Sequence, residues 1–249
     1  MNSTLLNTGW SMWIMLTLVV LATAVITQRF LALPARRILS ASARALVQLV
    51  LIALLISHVS TSWILTGSLL VLMFGVAVIT STQRVDSVRW WVPACVMFGG
   101  VLPVVALMFG FGVLSTTPLA VIAVVGQLIG GAMSATNLAG RRIEQELQQR
   151  AGEVEAAMAL GFPDATARNL IARPVASEAL LPGLDQTRTV GTVTLPGAFV
   201  GLVLGGASPV DAGLVQLVVL INLMAVQAIS VSMLATFMEH QRGIRRLVR

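Results

Sequence analysis

The long apolar runs of this chain decide what it can fold into. A helix needs about 20 apolar residues to cross about 30 Å of hydrocarbon. Seven runs approach that length. They extend from about Trp10 to Thr27, Ala43 to Ser57, Trp63 to Thr80, Val92 to Leu114, Pro118 to Asn137, Thr189 to Gly205 and Ala212 to Met238. The second is the shortest. Hydrophobic residues make up 57% of the 249, and charged residues only 10%. A soluble domain carries about 25% charged residues. The expected fold is therefore an all-α polytopic membrane protein of about seven transmembrane helices, forming a single domain over 1–249.

Arginine placement supports that count. All 16 basic residues are Arg. Arg29, Arg36, Arg37 and Arg44 fall between runs one and two, and Arg84 and Arg89 between three and four. Arg141, Arg142, Arg150, Arg168, Arg173 and Arg188 fall between five and six; Arg242, Arg245, Arg246 and Arg249 follow the last. Seven crossings put every Arg on one face, which the positive-inside rule makes the cytoplasm. The N-terminus is then outside and the C-terminus cytoplasmic. The start "MNSTLLNTGWSMW" has no positive charge before its apolar run, which reads as a true first span rather than a cleaved signal. The net charge of +6 is a topology signal and a contact for lipid headgroups, not a nucleic-acid footprint.

Chemistry-bearing residues are scarce in the runs. Cys95 is the single cysteine, His58 and His240 are the only histidines, and no metal-ligand spacing exists. No Asp, Glu or Lys lies well inside a run. Ion-coupled transporters keep such groups as relays, so their absence weighs against a secondary transporter. No phosphate-binding loop is present, so an energy source would belong to another polypeptide. Gln48, Gln127, Asn137, Asn222 and Gln227 do lie in runs; the plain reading is interhelical hydrogen bonding, worth about 0.6 kcal/mol each. The 11 Met read as packing material rather than soft-metal ligands.

Glycine and proline punctuate three runs. "TVGTVTLPGAFVGLVLGGASP" repeats Gly197, Gly201 and Gly205 at intervals of four, one helix face open to close approach. Pro196 is expected to kink that helix just before the groove. Pro93 and Pro103 with two glycine pairs mark run four, and Gly126, Gly130 and Gly131 mark run five. Such helices often surround substrate paths.

The longest polar stretch, about 139–187, is a helical cytoplasmic loop. "RRIEQELQQR" continues run five as a polar helix, with Gly152 as the expected break. "EVEAAMAL" forms a short helix that Gly161 ends in a left-handed cap, with Pro163 blocking continuation. Asp164 is the expected N-cap of "ATARNLIAR", and Pro174 its expected end. Small Ala156 and Ala157 admit a partner surface, and Glu155 can pair with a cation there. The helix is acidic, unlike interfacial membrane helices.

"EAAMALGFPDATARNLIARP" resembles the coupling-loop motif of ABC transporter permeases, Glu-Ala-Ala-x₃-Gly-x₉-Ile-x-Leu-Pro. Glu155, Ala156, Ala157, Gly161, Ile171 and Pro174 match in register; Arg173 replaces Leu. Across nearly the whole chain, "RALVQLVLIALL", "GGAMSATNLAGRR", "EVEAAMALG" and "TVGTVTLPGAFVGLVLGGASP" resemble in order the permeases of iron-export (Fet-type) and plant aluminium-tolerance ABC transporters. The chain departs from that pattern at Gly131, Val200 and Leu202, where the family favours Asn, Thr and Gln. If those positions line the pathway, the cargo differs or is more apolar.

The resemblance implies a non-enzymatic permease subunit, an exporter of a metal ion such as iron or of a small metabolite. It would act as two copies on two ATPase subunits in the plasma membrane, the bacterial inner membrane. ATP and Mg would sit in the ATPase, with no cofactor or metal held by this chain. Glu153, Glu155, Ala156, Ala157, Gly161 and Pro163 would form the coupling surface. Gln48, Gln127, Met133, Ser134, Asn137, Thr194, Pro196, Gly197 and Gly201 are the candidates for the pathway. The other readings are an ATP-independent channel or secondary transporter, and a membrane scaffold that recruits a soluble partner.

Overall fold

The computed structural model describes residues 9–59, 62–85 and 88–240. The basic group Arg242 to Arg249 and the His240 side chain lie outside the described residues. The chain divides into two compact units, Met1–Thr61 and Ser62–Arg249.

The first unit is a helical hairpin of α1 (Trp10–Phe30) and α2 (Ala35–Val59). The Leu31 and Leu33 amides both donate to the Thr27 carbonyl, at 3.0 and 3.2 Å, closing the first helix. Pro34 then stands just before the second. Most Leu, Val and Ile side chains of this hairpin are exposed. Water would penalise that surface, and lipid does not.

The second unit holds α3 (Trp63–Thr82), α4 (Trp91–Gly110), α5 (Pro118–Gln149), α6 (Ala151–Ala159) and α7 (Asp164–Ser177). A 3-10 turn over Glu178–Leu180 leads into α8 (Leu181–Thr189), followed by α9 (Gly197–Leu204) and α10 (Pro209–His240). Among the described residues the architecture is all-helical, apart from one isolated bridge between Val190 and Thr194. Among the described residues, six helices are long and apolar enough to cross a membrane: α1, α2, α3, α4, α5 and α10.

The expected span from Thr189 to Gly205 is not one helix. Helix α8 ends at Thr189, and α9 begins only at Gly197. Thr189, Val190, Thr192, Val193 and Thr194 are β-branched and lose rotamer freedom in a helix. Gly191 turns the chain at φ +80°. The Thr192, Val193 and Thr194 amides all point at the Thr189 carbonyl. Pro196 does not kink a helix; at φ −61° and ψ 145° it caps the start of α9.

Helix α10 is the hub. Its 32 residues span about 48 Å at 1.5 Å each. One buried cluster joins Met97, Val101, Val104, Leu128, Ile129, Leu223 and Val226. A second joins Val92, Val96, Ile143, Leu147, Val154, Ile171, Leu234 and Met238. Gly100, midway along α4, lets the helices meet: a Cβ there would lie 3.0 Å from the Val226 carbonyl oxygen and against the Ser230 hydroxyl. Gly75 on α3 has nothing within 4 Å of such a Cβ. Gly100→Leu should therefore cost at least the roughly 1–3 kcal/mol typical of overpacking. A lower melting temperature in lipid nanodiscs would register it, with Gly75→Leu close to wild type.

Candidate functional site

The far half of α5 carries a helical corner. The break before α6 falls at Arg150 (φ −107°, ψ 27°), two residues ahead of the expected Gly152, which lies inside α6. Val154 is 1% exposed and locks α6 to Ile143, Leu147, Ala167 and Ile171. Gly161 ends α6 at φ +95°, as the sequence predicts. Its amide donates to the Met158 carbonyl at 2.9 Å, and the Phe162 amide to the Ala157 carbonyl at 3.1 Å. That pair of bonds is a Schellman motif, which fixes the angle at which the chain leaves the helix.

Helix α7 starts and ends differently from expectation. Pro163 is its N-cap, and Asp164 is its first-turn acid. The Asp164 carboxylate accepts from Arg168 Nη2 at 2.7 Å, and Arg168 is 4% exposed. Pro174 sits inside α7 instead of ending it. Ile171, Ala172, Val175 and Ala176 form a continuous buried face across it, so burial outweighs one missing ladder bond.

This construction sets an exposed surface. Glu155, Ala156, Gly161 and Pro163 are exposed, and Ala157 is half-buried. Met158, Leu160 and Phe162 stand beside them with apolar side chains in the open; Leu160 is 81% exposed. Glu153 turns elsewhere. Its carboxylate accepts from Arg150 Nε at 2.8 Å and Nη2 at 2.6 Å. Those bonds hold the Glu153 carboxyl below the usual carboxylate range and raise the Arg150 guanidinium. Glu155 has no ion pair among the described residues, so the acidic group offered outward is Glu155.

The candidate pathway residues scatter. Gln127 and Ser134 are exposed on α5, and Met133 is half-buried. Asn137 is 1% exposed, and its amide has no partner among the described residues. Gln48 is exposed on α2, in the other unit. Thr194, Gly197 and Gly201 are exposed around the break after α8. Pro196 lines a cavity of about 380 Å³ together with Phe199 and Gln216. Gln216 is 3% exposed, and its Oε1 has no partner among the described residues. Sequence reasoning passed over it, although an amide inside "GLVQLVVL" was a visible signal.

The helices meet at a common height. Gly183 of α8 packs on the Gln227 side chain of α10. A Cβ on Gly131 of α5 would lie 3.3 Å from Leu223 Cγ and 3.5 Å from Gln227 Nε2, so this position is filled by packing. Thr187 Oγ1 lies 3.2 Å from Met224 Sδ. Gly100, at the middle of α4, meets α10 at Val226 and Ser230. Helix α8 thus stands level with the middle of a membrane-length helix. Asp185 and Arg188 come with it.

Two outcomes test the corner. Gly161→Val forces a β-branched residue to positive φ, at about 1–2 kcal/mol or more; amide exchange over 151–163 should quicken by about tenfold. The Glu153 carboxyl should titrate below the ordinary 4.5 in carbon-detected NMR, and Arg150→Ala should return it. Because the folded value is the lower one, the pair's contribution is present above the unfolded pKa and lost as pH falls through the folded one.

The chain matches the family described as Uncharacterised protein family (UPF0014) over residues 9–242. It is 36% identical to "UPF0014 membrane protein STAR2" of rice (Oryza sativa subsp. japonica), over 80% of this chain and 71% of that one. It is 31% identical to "Protein ALUMINUM SENSITIVE 3" of Arabidopsis thaliana, over 90% of this chain and 82% of that one. It is 28% identical to "Probable iron export permease protein FetB" of Escherichia coli, over 55% of this chain and 52% of that one. These are the relatives that the resemblance in the sequence points to. No solved structure matches the chain. With the match running from the first apolar helix to beyond α10, this multi-pass helical membrane protein belongs to the UPF0014 family.

Proposed function

We propose that the chain is the membrane subunit of an ABC-type transporter, an exporter of a metal ion such as iron or of a small metabolite. Two copies form the pathway on two ATPase subunits in the bacterial inner membrane. The N-terminus is outside, the corner faces the cytoplasm, and the broken segment from α8 through α9 makes the seventh crossing. The observation that carries this reading is the outward surface of α6. It is short, rigidly held by Val154 and the Gly161 turn, and offers Glu155 among exposed Ala156, Met158 and Leu160. An apolar patch with one charge, standing beyond the membrane-length part of α5, is suited to a protein groove. ATP and Mg belong to the ATPase; its closure would tilt α6 and, through Leu147 and Ile171, bias α5 and α7 between two packings. A partial relative's name, iron export permease, supports the cargo class.

A second reading, an ATP-independent secondary transporter, gains one observation. The sequence argument against it was that no Asp, Glu or Lys lies well inside a run; a crossing made by the broken segment from α8 would carry Asp185 with it and weaken that argument. Co-purification with the ATPase separates the two. Glu155→Arg should weaken binding of the ATPase at least tenfold, about 1.4 kcal/mol, and abolish stimulated ATP hydrolysis. Unchanged binding and hydrolysis would sink the coupling role of α6, and cargo movement in vesicles without any ATPase would favour the second reading.

A further inference from the structure

The charged face of α8 stands out from everything around it. Gly183 and Thr187 turn toward α10. At 100° per residue, Asp185 and Arg188 fall on the opposite side, and their side chains are 70% and 72% exposed. They stand level with Gly100 and Gly131, beside the uncharged Leu223, Val226 and Gln227 of α10. Ionised groups facing lipid at such depth are expensive, and they persist where they face water or one another.

These two hold each other only loosely. Arg188 Nη1 and Asp185 Oδ1 are 3.8 Å apart, about 1 Å longer than a charge-assisted hydrogen bond. Each therefore keeps room for another partner. Seven residues earlier, two turns toward the corner and on the same side, Glu178 repeats the arrangement: its carboxylate lies 3.8 Å from Arg142 Nε and its side chain is 52% exposed. Helix α8 ends at Thr189, one turn beyond Asp185. Its terminal carbonyls add partial negative charge there. With Arg188 displaced, the Asp185 carboxylate and the carbonyl end together favour a positive ligand over an anion.

We propose that this face of α8 lines a water-filled path through the protein, and that the Asp185 carboxylate holds a cation in transit, displacing Arg188. The site rests on reading the chain as a permease, but its test needs no ATPase. In a Cys95→Ala background in nanodiscs, Leu181→Cys, one turn before Asp185 on the same side, should react with a cationic thiol reagent at least tenfold faster than Val71→Cys. Val71 is 73% exposed midway along α3 and serves as the lipid-facing reference. Added Mn²⁺ should slow the reaction at Leu181→Cys severalfold, and Asp185→Asn should remove that protection while leaving the unprotected rate high. Equal rates at Leu181→Cys and Val71→Cys would show that the face meets lipid. Protection by Mn²⁺ that is absent, or that survives Asp185→Asn, would show that the carboxylate holds no cation. Loss of ATPase coupling alone would leave these rates unchanged, so the two proposals fail separately.

Discussion

Close approach to α10 is the constraint on which the second unit depends. Glycines on three different helices make it: Gly100 on α4, Gly131 on α5 and Gly183 on α8. In lipid, hydrocarbon burial does not separate helix contact from lipid contact, so tight packing has to supply the association. The three glycines let Val226, Leu223 and Gln227 fill the space that their side chains would take. Because these contacts share one height, they also fix where α8 stands. Helix α8 is then held beside the middle of α10, ahead of the broken segment.

From that frame the two ends acquire different roles. Helices α5 and α10 are long enough to continue past a hydrocarbon layer, and their far halves carry the cluster around Leu147, Ile171 and Leu234. The corner of α6 and α7 rests on this cluster, so a push on the corner reaches α5 and α7 through packed side chains. At the other end, α8 gives way to the turn over Val190–Pro196, where the backbone leaves helical geometry beside a cavity lined in part by the buried Gln216.

Much of this was legible in the sequence. Apolar run length marked six membrane-length helices, with ends displaced mainly where polar residues extend them, as α5 does to Gln149. Gly161 announced its turn because a glycine followed by proline after an Ala-rich helix leaves few alternatives. Three local readings went the other way. Pro174 breaks helices by default, yet the buried face from Ile171 to Ala176 carries α7 through it. Asp164 looked like a cap but spends its carboxylate on Arg168. Pro196 followed a β-branched run that was already too poor a helix to kink. The height of Asp185 along α10 was illegible for a different reason. Charge counting assigns a residue to one side of a boundary, whereas only the contacts of Gly183 and Thr187 reveal how high the helix stands.

Helix α8 runs beside α10 at the height of the glycine contacts, and a broken segment follows it where a continuous span was expected. Paired cysteines in Cys95→Ala protein embedded in lipid test it most directly. Gly183→Cys with Gln227→Cys should cross-link through a short bifunctional thiol reagent as readily as the reference pair Gly126→Cys with Met73→Cys, which joins α5 to α3. Cross-linking of the reference pair alone would contradict the placement of α8, and with it the height of Asp185 along α10.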